Sequence, residues 1–315
     1  MFKSSRRKFL TDTGKLSIGL TGICTLPDFL PAPVDNKAPF FKISLAQWSL
    51  NRSLYGGKLD NLDFPALAKN TYDISVVEYV NQFFLDKAEN TKYLNELLKR
   101  CDDNGVKNHL IMCDGEGPLG DPDSKKRMKA VENHYKWVNA AKHLGCQTIR
   151  VNIAGEGSSE EIQNAAIDGL SKLGEYAASV GINVVVENHG GYTSNGSWIS
   201  QLMKKIDKPN IGTLPDFGNF CTKIADTAEW KCIEEYDRYK GVAEMLPFAK
   251  GISAKTYDFD SKGNCVETDY ARMLKLIKKA GFRGYIGIEF EGTTIGEEEG
   301  IKKTKALLDA ALKIA

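Results

Sequence analysis

The chain has 315 residues, 42% hydrophobic and 26% charged, which describes a folded globular protein and excludes a disordered or fibrous one. Lys and Arg number 42 against 41 Asp and Glu, a net charge of +1, so there is no electrostatic footprint for nucleic acid or for an anionic membrane. Seven cysteines without a Cys-x-x-Cys pair exclude a zinc ribbon or thioredoxin-type centre; buried thiols are expected, with a disulfide such as Cys221–Cys232 left open.

The N-terminal run Ser5-Arg6-Arg7-Lys8-Phe9-Leu10 precedes a mildly apolar stretch, Leu16 to Leu30, and then Pro31 and Pro33. It resembles a twin-arginine export signal. The apolar run is too short and too interrupted by Gly, Thr and Pro to span a membrane. Ile23 stands before Cys24 where lipidation would need a small residue, so no lipid anchor is expected. Residues 1–38 are read as signal and linker, residues 39–315 as the working domain of an exported, periplasmic protein with no membrane span in the mature chain.

From Pro39 the chain alternates strand-like and helix-like segments without a long linker. Strands are expected over Phe41–Leu50, Ser75–Val80, Lys107–Cys113, Thr148–Ile153, Asn183–Asn188, Asn210–Leu214, Gly251–Lys255 and Tyr285–Phe290. Amphipathic periodicity predicts helices over Lys92–Asn104, Ser124–Leu144, Glu160–Val180, Ala228–Phe248, Tyr270–Ala280 and Ile301–Ile314. Gly105, Gly145, Gly181 and Gly281 each stand just past a helix, where a left-handed cap is needed. Eight βα units over about 275 residues fit a single (β/α)8 TIM barrel, an α/β fold that takes ~250. A doubly wound open sheet is the alternative, but no Gly-x-Gly-x-x-Gly follows the first strand.

In such a barrel the C-terminal strand ends converge on one mouth. Glu187, Asp216 and Glu289 each close an apolar run there. A buried, unpaired carboxylate costs several kcal/mol at least, so three together imply a bound cation, cationic partners or a shared proton. The other strand ends supply Gln47, Trp48, Glu78, Asn81, Asp114, Glu116, Arg150, Asn152, His189, Asn219, Ser253, Lys255 and Glu291. Alternation puts Glu187 with His189, Ser253 with Lys255, and Glu289 with Glu291 on common faces, as far as the strands extend.

Two Glu and one Asp form a hard-oxygen set suited to Mn²⁺ or Mg²⁺; an added imidazole would bring in Co²⁺ or Zn²⁺. Two opposed glutamates beside a divalent ion suit proton transfer next to a carbonyl, one removing and the other returning a proton. Taken singly, Glu78, Asp114, Glu116 and Glu291 read as surface or salt-bridged acids. Arg150 reads as a clamp on substrate or on a carboxylate such as Glu187, and Trp48 as an apolar wall for a sugar ring or a core residue. His134 and His143 read as surface or helix-end residues, and His109 as lying away from the mouth.

Arg150-Val151-Asn152, Val185-Val186-Glu187-Asn188-His189-Gly190, Pro215-Asp216-Phe217-Gly218-Asn219 and Gly287-Ile288-Glu289-Phe290-Glu291-Gly292 fall in order on successive strands. Together they resemble the xylose isomerase-like TIM barrels, in particular the sugar phosphate isomerase/epimerase group, over roughly residues 40 to 315. The resemblance implies a metal held by Glu, Asp, His and Glu from strands five to eight, with both Glu serving as acid and base. Glu187, Asp216 and Glu289 match that pattern. The histidine does not, because Ser253-Ala254-Lys255 stands where relatives commonly read His-x-Lys, and Asn219 stands where some epimerases carry a substrate-contacting histidine.

Three arrangements follow from the departure: a metal on three carboxylates plus water or Ser253, His189 substituting for the missing ligand, or no metal with Lys255 neutralising the acids. The implied activity is a divalent-metal-dependent isomerase or epimerase acting on a small-molecule sugar or keto-sugar through an enediolate. Its catalytic groups would be Glu187, Glu289 and Lys255, and its substrate contacts Trp48, Glu78, Arg150, Asn152, His189, Asn219 and Ser253. The alternatives are a lyase or hydratase acting on a 3-keto-glycoside at the same site, and a non-catalytic carbohydrate-binding barrel. A nucleic-acid repair barrel needs a histidine-rich multi-zinc site, which four histidines and a neutral surface do not supply. A homo-oligomer is left open.

Overall fold

Runs such as Val184-Val185-Val186, buried on both faces of a sheet, pair as parallel strands because helices cover one face and the barrel interior the other. A computed structural model describes residues 39–227 and 231–313; the segment read as signal and linker, Cys24 included, lies outside the described residues. In chain order the strands are β1 (Phe41–Ala46), β2 (Val76–Val80), β3 (Lys107–Met112), β4 (Thr148–Val151), β5 (Asn183–Glu187), β6 (Ile211–Leu214), β7 (Cys221–Ile224), β8 (Cys232–Glu235), β9 (Ile252–Thr256) and β10 (Gly284–Phe290). Eight of them form one parallel sheet in the order β6-β5-β4-β3-β2-β1-β10-β9. Between β6 and β9 the ladder thins to two isolated bridges, Thr213 to Ala249 and Asp216 to Ser253, which bring the sheet round on itself. With helices between the strands, the chain is a single (β/α)8 barrel.

The helices are α1 (Asn51–Tyr55), α2 (Phe64–Tyr72), α3 (Thr91–Asp103), α4 (Ser124–His143), α5 (Ser159–Ser179), α6 (Gly196–Ile206), α7 (Arg238–Met245), α8 (Tyr270–Lys279) and α9 (Glu297–Lys313). Their starts are written in the sequence: Ser158 and Glu161 make a reciprocal capping box on α5, and Asp269 accepts from Arg272 N on α8. Gly181 (φ +78°) and Gly281 (φ +76°) supply the left-handed residue just past α5 and α8, as their spacing predicts. The main core lies between sheet and helices, with Trp137, Leu170, Ile199 and Ile277 fully buried. A smaller cluster of Ala46, Val80, Leu110, Met112, Val185 and Leu214 fills the barrel interior, with Trp48 and Phe83 packed on it. Among the described residues no helix is long and apolar enough to cross a membrane.

Two expectations need correction. The first strand stops at Ala46, and Gln47–Leu50 is a 3-10 turn, because Gln47 and Ser49 turn their polar groups onto neighbouring strands instead of continuing the ladder. Of the helix expected over Ala228–Phe248, residues 228–230 lie outside the described residues, and the helical part of the rest is α7 with one 3-10 turn at Leu246–Phe248. Before it, β7 and β8 form an antiparallel hairpin joined by the Cys221–Cys232 disulfide. Asp237, accepting from Lys240 N, sets the later helix start.

Candidate active site

Glu187 ends β5, Asp216 follows β6 by one proline, and Glu289 is the penultimate residue of β10. All three are buried, and one carboxylate oxygen of each lies within 4.8 Å of the others. Two oxygens on one ion stand no more than about 4–5 Å apart, twice a metal–oxygen distance of ~2.0–2.6 Å, so the cluster fits a single hard divalent cation. The donor chemistry agrees: all three groups offer hard carboxylate oxygens, and Glu187 Oε2, buried without an aligned hydrogen bond, has the Arg150 guanidinium as its neighbour. Glu187, Asp216 and Glu289 are the residues that would hold it.

Ser253 and Lys255 occupy the side of the cluster formed by β9. The Ser253 hydroxyl lies 2.7 Å from Asp216 Oδ2 and 2.5 Å from Glu289 Oε2, so its single hydrogen serves one of them at a time. Lys255 Nζ stands 2.7 Å from Glu291 Oε1, 3.1 Å from Glu289 Oε1 and 3.7 Å from Asp216 Oδ2. Gly218 makes room for this lysine: a Cβ there would meet Lys255 Cγ at 2.7 Å and Tyr257 Cε2 at 3.1 Å.

Arg150 closes the opposite side. Its Nε is 2.9 Å from Glu187 Oε2 but lacks hydrogen-bond alignment, so the contact is an ion pair. Its Nη1 donates to Asp114 Oδ1 at 2.5 Å, and Asn152 Nδ2 donates to the same oxygen at 2.6 Å. Arg150 is thus the carboxylate clamp of the two readings offered for it. Glu116 is a structural acid, held by Trp137 Nε1 at 2.6 Å and Lys136 Nζ at 3.0 Å.

These surroundings drive the two glutamates apart. Burial pushes the Glu187 carboxyl well above the ordinary range, and the Arg150 charge offsets that only in part. Burial acts on Glu289 too, but the Lys255 charge, hydrogen bonds from Ser253 and Lys255, and Arg150 bring it below the ordinary value. Asp216 is pushed up to about 6 by burial, against the opposing pull of Lys255. Lys255 is held protonated, burial being outweighed by Asp216, Glu289 and Glu291.

The family described as the xylose isomerase-like TIM barrel matches residues 68–311. The chain belongs to that family. Among solved structures, the IOLI protein with a bound zinc atom superposes with a TM-score of 0.68 at 14% identity, over 87% of this chain and 98% of that one. D-allulose 3-epimerase from Methylomonas sp. superposes with a TM-score of 0.66 at 15% identity, over 87% and 99%. At this identity both likenesses concern the fold. A curated relative, the C-glycoside deglycosidase alpha subunit of Arthrobacter globiformis, is 33% identical over 78 residues, which is 23% of this chain and 22% of that protein.

Within this xylose isomerase-like barrel the remaining expected residues fall in different places. His189 lies past the end of β5, exposed at the rim and outside the cluster of ligand atoms, so the imidazole is not brought to the missing corner. The Asn219 amide nitrogen is buried beside the site without a partner. Trp48 is half-buried at the mouth against Phe83 and Tyr55, ring centroids 6.1 and 6.2 Å away. Glu78 is neither surface nor salt-bridged: it is buried, accepts from Ser44 Oγ at 2.6 Å, and lies so close to Gly287 that a Cβ there would meet its Oε2 at 2.7 Å. Burial likewise corrects His134, whose Nδ1 is 2.7 Å from Ala130 O inside α4. His143 is half-buried in the last turn of α4, its Nε2 2.7 Å from Asn95 Oδ1. Tyr257 was not singled out from the sequence, although Ser253, Lys255 and Tyr257 alternate onto one face; its hydroxyl lies in the field of Lys255 and Glu291.

Proposed function

We propose that the chain is a divalent-metal-dependent isomerase or epimerase acting on a sugar or keto-sugar. The observation that carries this reading is the buried trio Glu187, Asp216 and Glu289, with one oxygen of each inside 4.8 Å at the barrel mouth. A divalent ion held there would supply Lewis-acid polarisation of substrate oxygens and stabilise enediolate charge. Glu289, kept ionised by Lys255 and Ser253, takes the proton from the carbon next to the carbonyl. Glu187, on the opposite strand of the cluster, returns a proton from the other side. Lys255 and Arg150 hold the local charge balance, and Lys255 offers an N–H donor to a sugar oxygen. Trp48 gives the sugar ring an apolar wall.

Metal content of protein isolated without chelator decides the site. The wild type is expected to carry about one divalent ion per chain and Glu289→Gln to lose it; wild type free of metal after growth in metal-rich medium sinks the proposal. A second reading, a lyase acting on a keto-glycoside, draws its support from the short deglycosidase match. Products formed in D₂O separate the two: deuterium in an intact or epimeric sugar supports the isomerase, and obligatory release of the aglycone supports the lyase.

A further inference from the structure

Beyond the strand ends, the barrel rim is held by side chains that imitate a neighbouring strand. Gln47 Oε1 accepts from Val80 N at 3.0 Å, joining β1 to β2. Ser49 Oγ accepts from Phe290 N at 3.0 Å and donates to Ile288 O at 3.1 Å, joining β1 to β10. Asn81 accepts from Asp114 N and donates to Asp114 O, both at 2.9 Å. Asn188 repeats that pattern three strands further round: it accepts from Asp216 N at 2.7 Å and donates to Asp216 O at 3.0 Å and to Asn219 O at 3.3 Å. All four side chains are fully buried. A carboxamide carries a donor and an acceptor on one plane, so it can satisfy the N–H and C=O of a single residue where the regular ladder has stopped.

At Asp216 the consequence reaches the carboxylate. Its backbone is pinned on both sides by Asn188, and its Oδ1 accepts from Gly218 N at 2.7 Å and Asn219 N at 2.9 Å. Only Oδ2 is left to face Ser253 and the other two acids. We infer that Asn188 is a positioning residue, which sets the Asp216 carboxylate for cation binding from the end of the strand that carries Glu187. The inference rests on the trio as a cation site for its affinity consequence, and on geometry alone for its structural one.

The test compares Asn188→Ala with Gln47→Ala, a rim clamp that holds no acid. Both variants should melt below wild type, since each loses a buried hydrogen-bonding group. Only Asn188→Ala should weaken Mn²⁺ binding measured calorimetrically, by about 10- to 100-fold, the usual effect of removing a group that orients a ligand. Its crystal structure should show Asp216 Oδ2 moved away from its 2.7 Å contact with Ser253. Equal weakening in both variants, or an unmoved carboxylate in Asn188→Ala, overturns the inference. If wild type itself binds no Mn²⁺, the cation reading has failed, and the crystal structures alone decide whether Asn188 places Asp216. Asn188→Ser serves where the alanine variant does not fold.

Discussion

Glu78 stands inside the barrel with Ser44 as its hydrogen-bond donor, and burial lifts its carboxyl from 4.5 to about 7. Between those values the folded protein keeps a proton that the unfolded chain has lost. Stability from this group is therefore present below pH 4.5 and lost as the pH rises toward 7, by roughly 3 kcal/mol. Glu78→Gln should flatten that slope in urea melts run with chelator, and an unchanged slope would assign the pH dependence elsewhere. The acids at strands five, six and eight were legible because a charge closing an apolar run needs a reason. The role of Glu78 was less legible: its neighbour Gly287 comes from the far end of the chain, and no local pattern announces that contact. Asn188 was hidden for the opposite reason, since an Asn beside a catalytic candidate looks like its appendage until its three hydrogen bonds are seen to run to Asp216 and Asn219.

At the scale of elements, the strands were readable because parallel strands buried on both faces are continuous apolar runs, and the helix ends because Gly181 and Gly281 must take positive φ. The hairpin was not. Its strands are four residues each and largely exposed, so neither burial nor length marks them, and the charged run Glu234-Glu235 continues smoothly into the periodicity of α7. The paired cysteines were the available signal. Cys221 and Cys232 are 11 residues apart, a short loop, for which the entropic contribution of a cross-link is about 2–3 kcal/mol. Replacing both by Ser should raise amide exchange at Lys223 and Ile224 while the amides of β4 and β5 keep their protection. Equal loosening of the central strands would mean the hairpin supports the whole barrel.

For the whole molecule, the barrel is continuous through seven neighbouring pairs of strands and thin at the eighth, where β6 and β9 share only isolated bridges. Three backbone hydrogen bonds carry that junction, Lys250 N to Thr213 O at 3.0 Å, Ser253 N to Pro215 O at 2.9 Å and Phe217 N to Ser253 O at 3.1 Å. Asp216 sits on one side of it, and Ser253, Lys255 and Glu289 on the other. A saturating cation at 100 times its Kd would stabilise the folded chain by about 2.7 kcal/mol, which shifts the melting temperature of a domain this large by a few degrees. Chelation should lower the melting temperature by that amount and speed exchange at the Lys250, Ser253 and Phe217 amides before others. Uniform acceleration would locate the cation's influence elsewhere.

The thin junction would also give a bound cation a second task. A cylinder sewn from one continuous thread has a last stitch, and here the acids that would grip the ion lie on both edges of it. An ion loaded there would tie Glu187 and Asp216 on one edge to Glu289 on the other, so binding it would also tighten the closure that the backbone makes on its own.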